Sequence, residues 1–350
     1  MSAEDLRFAA AMAGLGALLA LVIGLLAAPL GRALGLMDWP DTDGGRKRHA
    51  RVTPLVGGLA VMLAVVAAIL ISAMQGVTLA LGGAVADLHL GWLAAAVGLM
   101  YLIGASDDRF HLSPVARLLA ALVVLMLVVI EAPDFALAFL YFGGGAKLWL
   151  LGAAGAGFTL LCLIGLLNAV NMADGKNGVV IGMGLIWSAV LALHLPPAML
   201  PVLAAVAGAL VVLFVFNMGG RLFLGDGGSY ALSALFGLLS ILAYNHGFES
   251  WRADDAALLF AVPVLDTIRL MVVRLARGRS PFDGDRDHLH HHLHARLDWP
   301  RGLVVYLAMM GLPNLGAVLW PGTGWMWLLA TLGLYAGVLR ATGFAARPAE

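Results

Sequence analysis

Long apolar stretches alternate with short polar segments along most of the chain, and this alternation is the dominant pattern in the sequence. A helix needs about 20 apolar residues to cross the hydrocarbon core of a membrane. We find eleven stretches near that length and predict an all-α polytopic membrane protein with about eleven transmembrane helices. The predicted spans are residues 8–30, 55–74, 90–105, 115–131, 148–170, 178–195, 199–218, 228–245, 256–276, 302–320 and 324–340.

The composition agrees with this class, because 61% of the residues are hydrophobic and only 12% are charged, unlike soluble globular proteins. We find no internal repeat and no soluble domain, and we predict one integral membrane domain over residues 1–350. The first apolar stretch follows Glu4 and Asp5 rather than a basic segment and is long, so we expect an uncleaved span. The single cysteine, Cys162, argues against a disulfide framework or a cysteine-based metal site.

The distribution of basic residues predicts the orientation in the membrane. With the N-terminus outside, seventeen lysines and arginines fall on the inner side and three on the outer side, while Arg269 lies in a span. Because cytoplasmic loops are enriched in basic residues, we predict an external N-terminus and a cytoplasmic C-terminus. The two longest loops, 31–54 and 277–301, and all the polar motifs then lie at the cytoplasmic face.

The most informative polar motif is NAVNMADGKNGV at residues 168–179, which we call the central motif. Asn168, Asn171 and Asp174 are three residues apart, which places them on one face of a helix. We predict that Gly175 ends this helix and that Gly178 allows the next turn. Helix punctuation alone would favour the same residue types, so that interpretation stays open.

Two adjacent carboxylates, Asp107 and Asp108, precede a turn in which we predict Ser113 as N-cap and Pro114 as the first helical residue. Since Ser113 already caps the helix, the carboxylates are not needed for capping. Adjacent carboxylates at a membrane surface are costly without a cation. Mg²⁺ prefers oxygen ligands and completes its coordination with water and substrate phosphate.

A third acidic residue, Asp226, lies between Gly225 and Gly227 just before another span. This pattern is typical of a helix cap. A helix start also presents free N–H groups and a positive dipole end to an anion, beside a carboxylate that could hold a metal.

Two loops are rich in basic and imidazole side chains. The run at 46–51 is either a topology signal or a contact for anionic lipid headgroups. The loop 277–301, which we call the histidine loop, carries five of the ten histidines. They are His288, His290, His291, His292 and His294. A transition-metal tract is one interpretation, but the chain has no HExxH motif and arginines are abundant nearby, which favours a phosphate clamp. The motifs together predict a phosphate-handling site at the cytoplasmic face.

Five motifs occur in the order found in the polyprenyl-phosphate N-acetylhexosamine-1-phosphate transferases, glycosyltransferase family 4, and the chain resembles this family from about residue 38 to about residue 294. Within the family it is most similar to the bacterial UDP-GlcNAc:undecaprenyl-phosphate GlcNAc-1-phosphate transferases that start O-antigen, common-antigen and teichoic-acid linkage synthesis. The motifs are RKRH with PLVGG (46–58), DDRF (107–110), NxxNMxDG (168–175), FLGDxGS (223–229) and SPFxxDRxHLHH (280–291).

The resemblance implies transfer of N-acetylhexosamine-1-phosphate, with GlcNAc-1-phosphate expected, from a UDP-sugar to undecaprenyl phosphate with release of UMP. It implies Mg²⁺ as cofactor, with Mn²⁺ as a substitute, and a multi-pass location in the bacterial inner membrane. The expected partners are the UDP-N-acetylhexosamine, undecaprenyl phosphate and membrane lipids, and no nucleic acid. The amino sugar, the glycan pathway, the occurrence of a homodimer, and the choice between direct displacement and a covalent intermediate all stay open.

The resemblance also assigns roles to individual residues. The implied catalytic residues are Asp107, Asp108, Asp174, Asp226, Arg274, His288, His290 and His291. The implied metal ligands are Asp107, Asp108 and Asp226. The implied substrate contacts are Arg46, Lys47, His49, Asn168, Asn171, Lys176, Asn177, Gly225 and Gly227. His292 and His294 lie beyond the matched motif and are expected to tolerate substitution. Asn177 departs from the usual bacterial DGxDG pattern, which leaves the metal geometry and the sugar less defined.

Two alternatives remain from the sequence. A transferase of the peptidoglycan precursor is disfavoured because this chain has HLHHHL where that enzyme has an HHHFE-like motif. A transporter or lipid-carrier flippase is disfavoured because transport sites usually lie in broken helices near the midplane. Here only Asp266 and Arg269 lie deep in a span, and we interpret them as a structural ion pair.

Overall fold

The computed structural model describes residues 2–40, 51–74, 85–145, 147–280 and 287–342, with the side chains of 85–89 left out. These ranges are mostly helical. The α-helices are α1 (Ala3–Leu25), α2 (Ala27–Leu34), α3 (Gly57–Met74), α4 (Val85–Phe110), α5 (Pro114–Glu131), α6 (Gly155–Ala173), α7 (Val179–Leu191), α8 (Leu200–Met218), α9 (Gly225–Gly247), α10 (Ala253–Leu259), α11 (Ala261–Ala276), α12 (Leu289–Arg296), α13 (Arg301–Leu319) and α14 (Gly324–Ala341).

Short strands and 3₁₀ turns, which the sequence pattern did not predict, join some of the helices of this mostly helical chain. Strands β1 (Met37–Asp38) and β2 (Thr53–Pro54) form one antiparallel pair, and β3 (Phe139–Tyr141) and β4 (Leu148–Leu150) form another. The 3₁₀ turns are Pro133–Phe135, Gly152–Ala154 and Pro197–Met199. Strand pairs of two or three residues have no amphipathic period that a sequence pattern could reveal.

Eight helices in the described ranges are long and apolar enough to cross a membrane, and the number rises to nine if the bent pair α10–α11 is one span. Every predicted span overlaps a helix or helix pair. Helix α7 has only 13 residues, which gives about 20 Å of helix against a hydrocarbon core of about 30 Å. The chain is therefore a polytopic membrane protein, while the number eleven and the orientation stay predictions.

Helix α9 is the centre of the bundle, and all of its residues from 227 to 244 are buried. Glycines on α3 and α4 allow their backbones to contact its first turn. A Cβ atom on Gly58 would lie 2.3 Å from the backbone nitrogen of Gly228, and one on Gly104 would lie 2.3 Å from the backbone carbonyl oxygen of Asp226. Small residues permit such close helix contacts inside membranes. This packing fixes the position of Asp226 at one end of the bundle.

Two of the motifs that are distant in sequence are held together by backbone hydrogen bonds. Gly57 N–H donates to the Phe223 carbonyl and Gly58 N–H to the Leu224 carbonyl, each at 3.0 Å, while Phe223 N–H donates to the Pro54 carbonyl at 2.9 Å. The PLVGG segment (54–58) is therefore joined to the FLGDGG segment (223–228) by backbone hydrogen bonds. Because backbone groups make these bonds, the contact depends on small residues rather than on particular side chains.

The stretch predicted as one span at 256–276 consists of two helices, α10 and α11, which are bent by 73° at Phe260. The break exposes backbone carbonyls that must find other donors within a membrane. Trp187 Nε1–H donates to the Leu259 carbonyl at 2.9 Å, and Asn314 Nδ2–H donates to the Leu258 carbonyl at 3.4 Å. Side chains from neighbouring helices therefore satisfy the break.

Candidate active site

Asp107 and Asp108 lie in the last turn of α4, where the negative end of the helix dipole disfavours further negative charge. Asp108 is compensated by the start of α9, because its Oδ2 accepts a hydrogen bond from Gly227 N–H at 3.3 Å. We expected the N–H groups at this helix start to be free for an anion. For Gly227 this was wrong, since its N–H group already donates a hydrogen bond to the carboxylate of Asp108.

Gly225 is required at the start of α9 for two reasons. Its φ is +75°, a conformation that residues with a side chain rarely adopt. A Cβ atom on Gly225 would also lie 2.7 Å from Asp108 Oδ2. The glycine therefore permits the turn and admits the carboxylate beside it.

Arg117 supplies the positive charge that the acidic end of α4 needs. Its Nη1 donates a hydrogen bond to Asp107 Oδ2 and lies 3.6 Å from Asp226 Oδ2. Ser113 Oγ accepts from Ala116 N–H at 3.2 Å, so the predicted cap of α5 is confirmed and sets the first turn that carries Arg117.

Arg117 was not predicted as a site residue. It was counted only among the basic residues that predict the orientation in the membrane. The available signal was its position in the first turn of the helix that directly follows the two carboxylates. Two consecutive helices joined by a short turn run back along each other, which brings such a residue beside the end of the first helix.

The predicted polar face of α6 is confirmed for one of its three residues. Asn171 Nδ2–H donates to Asp226 Oδ1 at 2.8 Å and to Ser229 Oγ at 3.1 Å. Asn168 Nδ2–H instead donates to the Ile164 carbonyl of its own helix at 2.8 Å. Asn171 is thus the residue that connects the central motif to the carboxylate on α9.

Asp174 lies just after α6, at its C-cap. Burial, together with the negative charge of Asp226, raises the pKa of Asp174 to about 7. The carboxyl is therefore influenced by Asp226, although Asp174 follows α6 and Asp226 lies in the first turn of α9.

Helix α6 ends at Ala173 with Asp174 as its C-cap, so Gly175 directly follows the helix end, without a positive φ. Gly178 does have a positive φ, of +84°, immediately before α7. The role of Gly175 is close approach: a Cβ atom there would lie 2.3 Å from His290 Nε2. The histidine loop therefore packs directly against the central motif.

A second contact joins the same two regions. Trp299, between α12 and α13, donates from Nε1–H to the Asn177 carbonyl at 2.9 Å. The backbone of Asn177 is thus fixed by the region after the histidine motif, at the position where the chain departs from the usual bacterial pattern.

His290 is only 1% exposed, and neither of its ring nitrogens has a hydrogen-bond partner among the described residues. Burial holds the pKa of His290 well below its ordinary value, and the neighbouring His291 and His288 lower it further. The ring of His288 is stacked on it with a centroid distance of 5.4 Å. A buried side chain with two unpaired nitrogens beside Gly175 is suited to contact a ligand.

His288 is held by the pair that we interpreted as structural. Asp266 and Arg269 do form the predicted ion pair, at 3.1 Å. Asp266 Oδ2 also lies 3.0 Å from His288 Nδ1. The pair therefore contacts the histidine motif directly, which the sequence analysis did not anticipate.

The other predicted site residues lie in several parts of the chain, and some fall outside the described residues. Arg274 is buried in the last turn of α11, and Lys176 lies in the loop between α6 and α7. His292, expected to tolerate substitution, has its Nε2 2.6 Å from Asp287 Oδ1. The predicted contacts Arg46, Lys47 and His49 lie outside the described residues, as does the segment 281–286.

In the described ranges, no group of three or more His, Cys, Asp or Glu side chains is arranged to hold a metal ion. Mg²⁺ needs fewer protein ligands, because one or two carboxylates with water and substrate phosphate suffice. Asp107 and Asp226 fit this requirement, since their oxygens already share one cationic group, the guanidinium of Arg117.

Residues 89–244 match the family model described as glycosyl transferase family 4. The chain is 30% identical over 267 residues to an undecaprenyl-phosphate alpha-N-acetylglucosaminyl 1-phosphate transferase of Yersinia pestis, covering 74% of this chain and 69% of that protein. It is 28% identical over 275 residues to a decaprenyl-phosphate N-acetylglucosaminephosphotransferase of Mycolicibacterium smegmatis, covering 71% and 66%. It is 27% identical over 270 residues to a probable undecaprenyl-phosphate N-acetylglucosaminyl 1-phosphate transferase of Bacillus subtilis, covering 75% and 70%.

The similarity to the Yersinia pestis protein extends over more than two thirds of both chains. The segment matched to the family model contains the acidic motifs of α4 and α9 and the central motif. The chain therefore belongs to the polyprenyl-phosphate N-acetylhexosamine-1-phosphate transferases, glycosyl transferase family 4.

Proposed function

We propose that this protein transfers GlcNAc-1-phosphate from UDP-GlcNAc to undecaprenyl phosphate, giving undecaprenyl-diphosphate-GlcNAc and UMP. One observation carries the proposal: Asp107 on α4 and Asp226 on α9 lie beside the guanidinium of Arg117, and Asn171 on α6 donates a hydrogen bond to Asp226. The names of the relatives from Yersinia pestis and Bacillus subtilis support the choice of sugar and lipid.

In the proposed reaction, a phosphate oxygen of undecaprenyl phosphate forms a bond to the phosphorus that carries the sugar, and the bond from that phosphorus to the UMP oxygen breaks. A phosphomonoester has a second pKa near ~6, so it is largely dianionic at neutral pH and needs little help from a base. The difficulty is the repulsion between two anions, and the protein must supply positive charge and N–H donors.

Asp107 and Asp226 would hold Mg²⁺, with Asp108 beside them in the last turn of α4, hydrogen-bonded to Gly227 N–H at the start of α9. When bound, Mg²⁺ would neutralise diphosphate charge and stabilise the leaving UMP. Asn171 keeps Asp226 oriented through its amide hydrogen bond. Arg117 contributes a guanidinium at the same point, and guanidinium groups bind phosphate oxygens well.

The histidine loop would form the other side of the site. His290 contacts the central motif at Gly175, and His288 and His291 lie within one turn of it. Imidazole N–H groups and Arg274 would donate to the diphosphate. The site would face the cytoplasm in the bacterial inner membrane, and the product would start a cell-surface glycan such as the lipopolysaccharide O-antigen.

A transporter remains the alternative from another class, and the break between α10 and α11 is the kind of feature that transporters use. At this break, however, the Leu259 carbonyl is satisfied by Trp187. The carboxylates Asp107, Asp108 and Asp226 converge at the end of α4 and the start of α9 instead. These observations favour an enzyme.

Purified protein in detergent or nanodiscs, supplied with undecaprenyl phosphate, Mg²⁺ and a panel of radiolabelled UDP-sugars, tests the proposal. We expect a labelled lipid product and stoichiometric UMP with UDP-GlcNAc. Product only with the UDP-linked peptidoglycan precursor would instead indicate that related transferase. No product with any UDP-sugar, together with lipid-carrier movement across vesicles, would favour the flippase.

A further inference from the structure

The carboxylate of Asp266 connects three elements of the fold. Asp266 lies on α11, is 4% exposed, and accepts hydrogen bonds from four groups among the described residues. Two come from the histidine loop, one from its own helix and one from the last helix. The donors are Tyr335 Oη–H at 2.7 Å, His288 Nδ1–H at 3.0 Å, Arg269 Nη2–H at 3.1 Å and Leu289 N–H at 3.2 Å.

The contact with His288 defines which ring nitrogen carries a proton. An ionised carboxylate only accepts hydrogen bonds, so Nδ1 of His288 must be protonated and donating. The other nitrogen, Nε2, is then the one left for a ligand, and it donates a hydrogen bond to a phosphate oxygen when the ring carries both protons. The same carboxylate accepts from Leu289 N–H and so caps the first turn of α12, which has no side-chain cap of its own from His288.

Tyr335 and Arg269 hold the carboxylate in this position. The Tyr335 hydroxyl donates to Asp266 and accepts from Arg269 Nε–H at 2.8 Å, which closes a ring of three hydrogen-bonded side chains. Arg269 Nη1–H also donates to Asp287 Oδ2 at 3.2 Å, immediately before His288. Burial alone would raise the pKa of Asp287, but the hydrogen bond from His292 and the charge of Arg269 hold it below its ordinary value.

An ion pair that served only the bundle would need no more than Asp266 and Arg269. Here both residues extend their contacts to the segment that begins the histidine motif. Tyr335 comes from α14, far beyond the residues matched to the family model. The network is therefore placed to transmit the position of the last helix to His288.

We propose that Asp266 is a positioning residue that fixes the orientation and tautomer of His288, and that Tyr335 on the last helix acts through Asp266. The proposal rests on the proposed function, because His288 matters only if the histidine loop contacts the diphosphate. Carboxylate partners of functional imidazoles typically contribute about 10–100-fold in activity.

A double-variant cycle in the transfer reaction separates positioning from general stability. We expect Asp266→Asn to lower kcat about 10–100-fold, and Asp266→Asn combined with His288→Ala to be no slower than His288→Ala alone, since both act on one group. If the effects of Asp266→Asn and His288→Ala on kcat multiply, the positioning role is overturned.

Tyr335→Phe has a matched control in Tyr244→Phe, because the Tyr244 hydroxyl is also buried and hydrogen-bonded, with Tyr141 N–H and the Phe139 carbonyl as partners. We expect both variants to lower the melting temperature by similar amounts, and only Tyr335→Phe to lower kcat, with KM for the UDP-sugar changed less than kcat. Equal kcat for the two variants would refute the role of Tyr335.

Hydrogen–deuterium exchange of residues 289–296 tests the same proposal without any turnover. We expect faster exchange in Asp266→Asn and Tyr335→Phe than in the wild type and in Tyr244→Phe, because the cap of α12 is weakened. Unchanged exchange in Asp266→Asn overturns the proposal even if transfer is active. If the wild type transfers no sugar phosphate, the proposed function fails, while this exchange result still decides whether Asp266 holds the loop.

Discussion

Arg117 is hydrogen-bonded to Asp107, ten residues earlier in the chain, and this contact joins the start of α5 to the end of α4. The same guanidinium lies 3.6 Å from Asp226 on α9. Two carboxylates from different helices therefore share one positive charge. A buried charge that loses its partner is costly, so the arrangement requires a cation at this point.

Replacing Arg117 with alanine should lower the melting temperature in Mg²⁺-free buffer, because Asp107 and Asp226 lose their shared cation. Added Mg²⁺ should raise the melting temperature of the variant more than that of the wild type. Transfer should fall about 10²-fold or more, as when a charge-stabilising group is removed. Arg301→Ala is the control, because Arg301 is exposed and makes only a 4.0 Å ion pair with Asp298. Equal responses of Arg117→Ala and Arg301→Ala to Mg²⁺ would contradict this account.

Asp107→Asn, Asp108→Asn and Asp226→Asn should each leave a folded membrane protein that has lost most Mg²⁺-dependent transfer. Loss of one metal or charge-stabilising group typically costs a few kcal/mol of barrier, roughly 10²–10³ in rate. UMP release at several Mg²⁺ concentrations measures the effect. Asp298→Asn provides the control, since that side chain is 89% exposed. Near-normal activity in all three variants would mean that these residues only cap helices and compensate charge.

Gly175→Ala should impair transfer through a steric effect on the histidine loop. The added Cβ would lie 2.3 Å from His290 Nε2, so the buried His290 ring, the loop or the central motif must shift. A misplacement of about 1 Å at a reacting centre can cost about 10²-fold in rate. The matched control is Gly165→Ala on α6, where a Cβ atom meets nothing within 4 Å. Transfer rates of the two variants provide the measurement, and similar rates would show that the Gly175 contact is not needed.

The raised pKa of Asp174, about 7, predicts a pH-dependent effect on stability. Because burial favours the protonated carboxyl, the folded state keeps a proton that the unfolded state loses, and stability falls as pH rises towards about 7. Asp174→Asn removes this loss. Its melting temperature in Mg²⁺-free buffer should exceed that of the wild type increasingly from about pH 5 to about pH 8.

Asp298→Asn again serves as the control for Asp174→Asn, because an exposed carboxylate gives no such trend. A constant difference in melting temperature between Asp174→Asn and the wild type across that pH range would show that the carboxyl is not held in its protonated form.

The orientation predicted from basic residues can be measured by cysteine labelling in a Cys162→Ala background. Asp43→Cys and Gly284→Cys should react only with a reagent that reaches the cytoplasmic side, and Glu249→Cys should react from outside. The physical reason is the excess of lysine and arginine in the loops assigned to the cytoplasm. Labelling of positions 43 and 284 from outside alone would reverse the orientation and place the proposed site on the wrong side for a nucleotide sugar.

Features that depend on local pattern were predictable from the amino-acid sequence. The length of each apolar stretch determined where the helices lie, since a membrane requires a minimum helix length. The cap at Ser113 and the pair of Asp266 with Arg269 were also predictable, because their partners are three residues away. The positions of the acidic motifs followed from the breaks between the apolar stretches.

Which motifs meet, and through which residues, depends on how the helices pack. The contacts of Arg117 with Asp226, Gly175 with His290, Trp299 with Asn177, and Asp266 with His288 and Tyr335 join separate helices and loops. The bend between α10 and α11 likewise depends on Trp187 from another helix. Hydrophobic periodicity shows which helix face is buried but not which partner covers it, so these relationships arise only when the bundle packs.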